Sequence, residues 1–323
     1  MNKVIKTAIV GLGNIGFKYA LNSNVTTRMN YSTHYQTIKN HPNFELSCVC
    51  DSDFKSLHDF QSTTLETVPT YGDLKVMLRK ENFDLLVVST PTKTHLEICD
   101  LAIKKDIRLI LCEKPISYSY RGSVKLINKA HKKKVLLFFN YFRNFNPSYL
   151  ELIRKVRKND FGAIQSFGGS YTKGIFNNGT HLLAILIKLL PKNSYAKGFQ
   201  ENISAAVDPS LDMALGFGKS FGYLHGLNHK FYNIFALDLF MEKCLISMRN
   251  DKAYIYWKIQ SDKTNTLNAN RKEINLDISA GLYSVYSNLY EVYINAKKPL
   301  FSDLDALEVV RIASEGLKRP NLS

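Results

Sequence analysis

Val4-Ile5-Lys6-Thr7-Ala8-Ile9-Val10 runs straight into Gly11-Leu12-Gly13-Asn14-Ile15-Gly16, a β-prone segment followed by G-x-G-x-x-G. Strand, glycine turn and a segment able to start a helix is the order that a dinucleotide-binding βαβ unit requires. Gly11 permits the tight turn, Gly13 lets the backbone approach a pyrophosphate, and Gly16 lets helix and strand pack closely. The helix N-terminus then meets the phosphate charge. Gly11, Gly13, Asn14, Ile15 and Gly16 are therefore the first candidate cofactor contacts. An ordinary strand-to-helix turn is the competing reading of three glycines.

Outward from the turn, Phe17 to Thr33 is too polar to prolong a helix, with Asn22, Ser23, Asn24, Thr26, Thr27, Asn30 and Ser32. It reads as an inserted loop, either a ligand cover or surface decoration, ahead of a helix near His34–Lys39. The next strand, Phe44–Cys50, ends at Asp51. An acidic residue there is the expected partner of the adenosine ribose hydroxyls, and its charge disfavours a 2′-phosphate, so NAD is expected over NADP. Asp51 lies 35 residues beyond Gly16, against the usual separation of about 20. The insertion accounts for the excess. Capping of a following helix by Asp51-Ser52-Asp53 is the competing role.

Further strand–helix units follow. Asp73–Lys80 reads as a short helix, Phe83–Val88 as a buried parallel strand, and Ser89–His95 as the opening of a helix. Ile107–Leu111 is a strand ending in Cys112-Glu113-Lys114-Pro115, and a helix near Tyr120–His131 leads to the strand Val135–Phe139 and Asn140. Strands alternating with helices specify an α/β Rossmann domain, a doubly wound parallel sheet over residues 1–141. Ligands of such sheets gather at the carboxyl ends of the strands. Gly11–Gly16, Asp51, Thr90-Pro91, Glu113-Lys114-Pro115 and Asn140 all fall there.

Beyond Arg143 the character changes. A helix near Pro147–Lys158 precedes strand-like stretches around Ile164–Tyr171, Leu215–Leu224, Phe231–Leu239, Cys244–Arg249 and Ala253–Ile259. Such a run predicts an α+β second domain, residues 142–323, with a mostly antiparallel open sheet. A nearly apolar helix over Gly179–Leu190, ended by Pro191, should be buried. A C-terminal helix over 303–318 is expected to dock back on the first domain.

The 323 residues are 45% hydrophobic and 12% aromatic, with 43 Lys+Arg against 28 Asp+Glu and a net charge of +15. That is a well-cored globular composition, and no apolar run reaches the ~18 residues of a membrane helix. Met1-Asn2-Lys3-Val4 lacks the regions of a secretory leader, so a cytoplasmic location without a membrane partner is expected. The basic residues are scattered, and the tight run His131-Lys132-Lys133-Lys134 sits at a helix end, where cations suit the macrodipole. No nucleic-acid partner is expected, whereas the excess charge suits an anionic small substrate. Five cysteines in no ligand spacing read as packing residues, and no metal site is expected.

Two residues carry proton-transfer chemistry by type and place. Lys114 follows a buried strand, where it could anchor a substrate hydroxyl and move its proton, or be a surface lysine in a turn. His181 follows Asn177-Asn178-Gly179-Thr180 at the start of the buried helix. Imidazole is the usual acid–base group near neutrality; a satisfied structural histidine is the competing reading.

In combination, Gly11–Gly16, Asp51, Thr90-Pro91-Thr92-Lys93-Thr94-His95, Cys112-Glu113-Lys114-Pro115, Asn140-Tyr141-Phe142-Arg143 with Pro147, and Asn177–His181 carry a family likeness. Over roughly the first 190 residues the chain resembles the glucose–fructose oxidoreductase, inositol dehydrogenase and rhizopine-catabolism (Gfo/Idh/MocA) family. The resemblance implies a two-domain NAD(P)-dependent sugar dehydrogenase, a homodimer or homotetramer, with nicotinamide between the Rossmann domain and the second-domain sheet. It implies cofactor contacts at Thr90, Pro91, His95, Glu113, Lys114 and Asn140. Lys114 and His181 become catalytic, with Asn177 orienting the imidazole, and Tyr141, Arg143, Asn178 and Thr180 become substrate contacts. Asn177 departs from the pattern, being an amide where many members have aspartate, and Ala184 replaces a second acid. An amide can orient an imidazole but cannot stabilise imidazolium by charge. Asparagine here resembles members acting on nucleotide-linked sugars in surface-polysaccharide pathways. The alternatives are a dehydrogenase of a free sugar or inositol, and a catalytically inactive cofactor-binding regulatory or scaffold protein.

Overall fold

The first sheet is built from short strands that are apolar on both faces. β1 (Ile5–Val10), β2 (Phe44–Cys50), β3 (Thr70–Tyr71), β4 (Leu85–Val88), β5 (Leu109–Cys112) and β6 (Leu136–Phe139) run parallel in the order β3-β2-β1-β4-β5-β6. Every residue of β4 and β5 is buried, as in a parallel sheet covered on both sides. The helices between them are α1 (Ser23–Thr26), α2 (His34–Asn40), α3 (Phe54–Thr64), α4 (Leu74–Lys80), α5 (Thr92–Lys104) and α6 (Tyr120–Lys133). In α6, Leu126, Ile127 and Ala130 face inward, the Ser119 side chain caps the start, and Lys132 and Lys133 crowd the last turn. This doubly wound order reverses direction at β1, which opens a crevice between the carboxyl ends of β1 and β4.

The computed structural model describes residues 3–26, 29–190, 194–203, 207–259 and 264–318. Met1, Asn2, Thr27 and Pro191, used in the sequence reading, lie outside them. Among the described residues, the second sheet has eight strands: β7 (Ile164–Thr172), β8 (Ser194–Ile203), β9 (Ser210–Phe217), β10 (Ser220–Leu227), β11 (Phe235–Met241), β12 (Cys244–Arg249), β13 (Lys252–Lys258) and β14 (Leu267–Asn275). Their order is β14-β13-β12-β11-β7-β10-β9-β8, antiparallel throughout except for β7 beside β10. The helices of this half are α7 (Pro147–Arg157) and α8 (Thr180–Leu189), and the chain closes with α9 (Gly281–Asn295) and α10 (Asp303–Gly316). α8 is buried almost all round, as its composition requires. No helix among the described residues is long and apolar enough to cross a membrane.

Three features differ from the sequence expectation. The chain divides into two compact units, and the first extends to Asn146, not 141, and includes Ile278–Leu307. The reason is α9, which the sequence reading missed. Its Tyr283 stacks on His41 at 4.5 Å, and its Tyr286 meets Phe44 of β2 at 5.0 Å. Tyrosine-rich sequence is a poor helix former, yet Leu282, Val285, Tyr286 and Leu289 bury one helical face. Second, α10 is shared between the units, dividing at Leu307. Asp303 pairs with His131 at 2.6 Å in the first, while Arg311 donates to the Ser194 carbonyl at 2.9 Å in the second.

Third, no continuous helix begins at Gly16. Residues 13–17 form turns, Lys18–Leu21 is a 3-10 turn, α1 spans four residues, and α2 is the first full helix. The polar insertion interrupts the helix without dissolving it. The His34 amide donates to the Ile15 carbonyl at 2.9 Å and the Tyr35 amide to the Gly16 carbonyl at 3.1 Å. An unbroken helix would make such bonds four residues apart; here each spans 19, so 15 residues are looped out. With those removed, Asp51 stands 20 residues past Gly16, the separation the motif expects.

Candidate active site

Backbone geometry at the end of β1 shapes the site. Gly11 has φ 95°, and a Cβ there would meet the Ser89 carbonyl group at 2.7 Å. A Cβ on Gly16 would overlap the Gly11 carbonyl oxygen, well inside the 3.0 Å that real Cβ atoms keep. Around Gly13 a Cβ would meet nothing within 4 Å, so this backbone is open to a ligand. Ser89 Oγ donates to the Gly11 carbonyl at 2.7 Å and ties β4 to the turn.

These residues line a cleft of about 390 Å³, together with Asp51, Asp73, Thr90 and Pro91. Asp51 Oδ2 accepts from the Leu12 amide at 2.7 Å and Oδ1 from the Asp53 amide at 2.9 Å. Each oxygen keeps a further lone pair for a ligand hydroxyl. The capping role belongs to its neighbour: Asp53 accepts from the Lys55 amide and the Ser56 hydroxyl. Asn14, Ile15 and Gly16 do not line the cleft; Asn14 is exposed, and the Ile15 and Gly16 carbonyls receive α2. His95 does not line it either. Its ring is buried, with Nδ1 2.9 Å from the Pro115 carbonyl and Nε2 2.9 Å from the Thr90 carbonyl, so it braces two site segments from behind.

At the end of β5, Glu113 is a buried hub. It accepts from Asn140 Nδ2 at 2.6 Å, from His34 Nε2 at 3.1 Å and from the Lys114 amide at 3.3 Å. Burial pushes its carboxyl up, but the His34 hydrogen bond and charge, Asn140 and the Lys114 charge outweigh this and hold it below the usual range. Glu113 is therefore ionised, and since a carboxylate only accepts, His34 Nε2 carries a proton. His34 Nδ1 lies 3.0 Å from the Tyr286 hydroxyl, whose proton is held by burial, which raises the phenol well above its usual value. Lys114 itself is half-buried, joined to Pro115 by a cis peptide bond. Asn140 Oδ1 is buried with no hydrogen-bond partner in the structure, an acceptor that a ligand amide or hydroxyl would satisfy.

Tyr141 is fully buried with its ring 5.1 Å from Phe301, and so belongs to the core. Arg143 is half-buried, its guanidinium 4.6 Å from the Phe142 ring centre. In the second unit a π turn, Ile175–Gly179, leads into α8. Asn177 is exposed and Asn178 half-buried, while the buried Thr180 hydroxyl is spent on the Phe176 carbonyl at 2.6 Å. His181 is 8% exposed and its ring stands edge-on to Phe235. The five cysteines are buried, and burial pushes the Cys48 and Cys50 thiols up to about 12, which removes them as nucleophiles. Sequence reasoning missed His34, whose only local signal is its place at a helix start; its partner Tyr286 is 252 residues away.

Open backbone at Gly13, a carboxylate at the end of β2 and an unfilled buried acceptor at Asn140 fit a dinucleotide. Residues 5–141 match the Gfo/Idh/MocA model, described as an oxidoreductase family with an NAD-binding Rossmann fold. Over 164 residues the chain is 26% identical to the uncharacterized oxidoreductase C26H5.09c of Schizosaccharomyces pombe, covering 50% of this chain and 40% of that protein. It is 25% identical over 164 residues to the scyllo-inositol 2-dehydrogenase (NAD(+)) of Bacillus subtilis, covering 50% and 43%. The match thus spans about two fifths of the length of these relatives. The WlbA dehydrogenase from Bordetella pertussis, in complex with NADH and UDP-GlcNAcA, shares the fold with TM-score 0.75 at 16% identity, over 98% of this chain and 97% of that one. Residues 5–141 are an NAD-binding Rossmann domain of the Gfo/Idh/MocA oxidoreductase family.

Proposed function

We propose that the chain is an NAD-dependent oxidoreductase acting on a ring CH–OH group of a sugar, with a nucleotide-linked sugar of surface-polysaccharide biosynthesis as substrate. The observation that carries this reading is the cleft at the carboxyl ends of β1, β2 and β4 together with Lys114, whose neighbour Glu113 is pinned as a buried ionised hub. Bound nicotinamide supplies the hydride acceptor or donor. The backbone at Gly11 and Gly13 holds the pyrophosphate, Asp51 the adenosine ribose hydroxyls, and Asn140 Oδ1 accepts from a ligand donor. In the oxidative direction Lys114 holds the reacting oxygen and takes its proton as the C–H bond breaks. His181, oriented by Asn177, is the acid–base partner, and Arg143 and Asn178 contact the substrate. Tyr141 and Thr180 act from the interior, given their burial and bonding.

The net charge of +15 supports a diphosphate-bearing substrate, as do Asn177 and the nucleotide sugar held by WlbA. The B. subtilis relative supports the alternative of a free inositol. A homo-oligomer working in the cytoplasm completes the proposal. The test is NADH formation or consumption with a panel of nucleotide sugars, free sugars and inositols. Turnover with at least one is expected, lost in Lys114→Ala and His181→Ala while NADH still binds. Undiminished turnover in Lys114→Ala, or no turnover by the native protein with any compound, would overturn it.

A further inference from the structure

Four successive backbone amides of the second unit donate into one three-residue segment. The Gly174 amide reaches Ser210 Oγ at 3.0 Å and the Ile175 amide the Pro209 carbonyl at 2.9 Å. The Phe176 amide reaches Asp208 Oδ1 at 2.7 Å, and the Asn177 amide Asp208 Oδ2 at 3.0 Å. These amides open the π turn that carries Asn177 and continues into α8, and the first amides of a helical run have no acceptor within it. π turns are rare and gather at functional sites.

The arrangement is built from several directions. Gly174 has φ 88°, and any Cβ there would overlap the Asp208 carboxylate. The segment is anchored in turn by Tyr171, whose buried hydroxyl donates to the Leu211 carbonyl at 2.8 Å and accepts from the Leu211 amide at 3.1 Å. The Tyr171 ring also packs against Gly179, at the end of the π turn. Both Asp208 bonds join an ionised acceptor to an amide, which makes them about twice as strong as neutral ones. Negative charge at the start of a helical run is itself favourable.

We propose that Asp208 is the positioning residue of the Asn177–His181 turn. It fixes the backbone that aims both side chains and brings a carboxylate to position 177, where the side chain is only an amide. The assignment rests on His181 being the acid–base group of the proposed reaction.

Asp208→Asn keeps the size of the side chain and removes its charge and one of its two acceptors. In the full chain with NADH bound, amide hydrogen exchange at Phe176 and Asn177 is expected to rise about ten-fold or more, with β1–β6 unaffected. With the sugar substrate, kcat is expected to fall about ten-fold or more, while KM changes far less. Unchanged exchange at those two amides overturns the proposal, and so does raised exchange with kcat intact, which is a purely structural role. If the native protein turns over no compound, the proposed function has failed separately, and the His181 ring resonances decide. Displacement of those resonances in Asp208→Asn supports positioning; superimposable spectra overturn it. Should Asp208→Asn not fold, Asp208→Glu reports through the same readouts, since it keeps the charge and moves it.

Discussion

Gly13 and Gly16 belong to one turn, yet replacing each with alanine should damage different properties. At Gly16 the new methyl would overlap the Gly11 carbonyl oxygen and sit 3.0 Å from Ser89 Oγ. The obstacle is backbone, so the end of β1 must move. Overpacking of this kind costs about 1–3 kcal/mol. For units of this size that lowers the melting temperature by roughly 3–10 °C. At Gly13 no atom stands within 4 Å of the added carbon, so the melting temperature should stay within about 2 °C of native. The methyl would instead occupy the face that meets the pyrophosphate. Losing one hydrogen bond to a charged group costs about 1.5–3 kcal/mol, or about 10- to 150-fold in the NADH dissociation constant. Thermal unfolding and NADH fluorescence titration on both variants make the comparison. A Gly13→Ala protein that binds NADH like the native one, or a Gly16→Ala protein that melts with it, refutes the reasoning.

Three further outcomes are expected. Burial lowers the His41 imidazole to about 4, so the unfolded chain binds more protons between pH 6.5 and 4, and stability falls as pH drops through that window. Urea unfolding at pH 7 and pH 4.5 should show a loss of order 2 kcal/mol, much reduced in His41→Asn. His34→Phe leaves Glu113 short of a donor and the Tyr286 hydroxyl unpaired, and should cost about 2–5 kcal/mol by urea unfolding; native-like stability would remove the hub. Excision of residues 19–33, joining Lys18 to His34, should leave the NADH dissociation constant within about three-fold, under 1 kcal/mol. It should lower stability only through the lost Thr33 cap and Tyr31–Tyr283 contact; loss of NADH binding would show that the insertion shapes the turn.

The Rossmann sheet was legible because its instructions are local. Leu85–Val88 and Leu109–Cys112 are unbroken apolar runs, and Asp51, Thr90 and Glu113 follow directly from strand ends. The second sheet was legible only at its centre. β8 and β14 form its two edges, where strands carry polar and charged residues that mask the alternating pattern. The site shows the same division. Gly11, Gly13 and Asp51 announce themselves by motif, but the Glu113 hub joins His34, Asn140 and, through His34, Tyr286, segments far apart in the chain. Asp208 was silent for a different reason: it acts on backbone amides, so the residues it holds carry no complementary side-chain signal. His95 shows the reverse error, a motif residue whose ring serves two carbonyls instead of the cleft.

The detour after the glycine turn also gives the fold a port. Its two ends leave and re-enter the domain at neighbouring points of one helix, clamped there by the Ile15 and Gly16 carbonyls. The entropy of closing a loop grows only with the logarithm of its length, about 0.6 kcal/mol per doubling. Cargo spliced at exposed Asn22, whether a peptide tag or a folded module, would therefore burden the domain little. New chain termini opened at the same point would give a circular permutant in which the dinucleotide turn sits beside the beginning of the molecule and the end, yet keeps its shape.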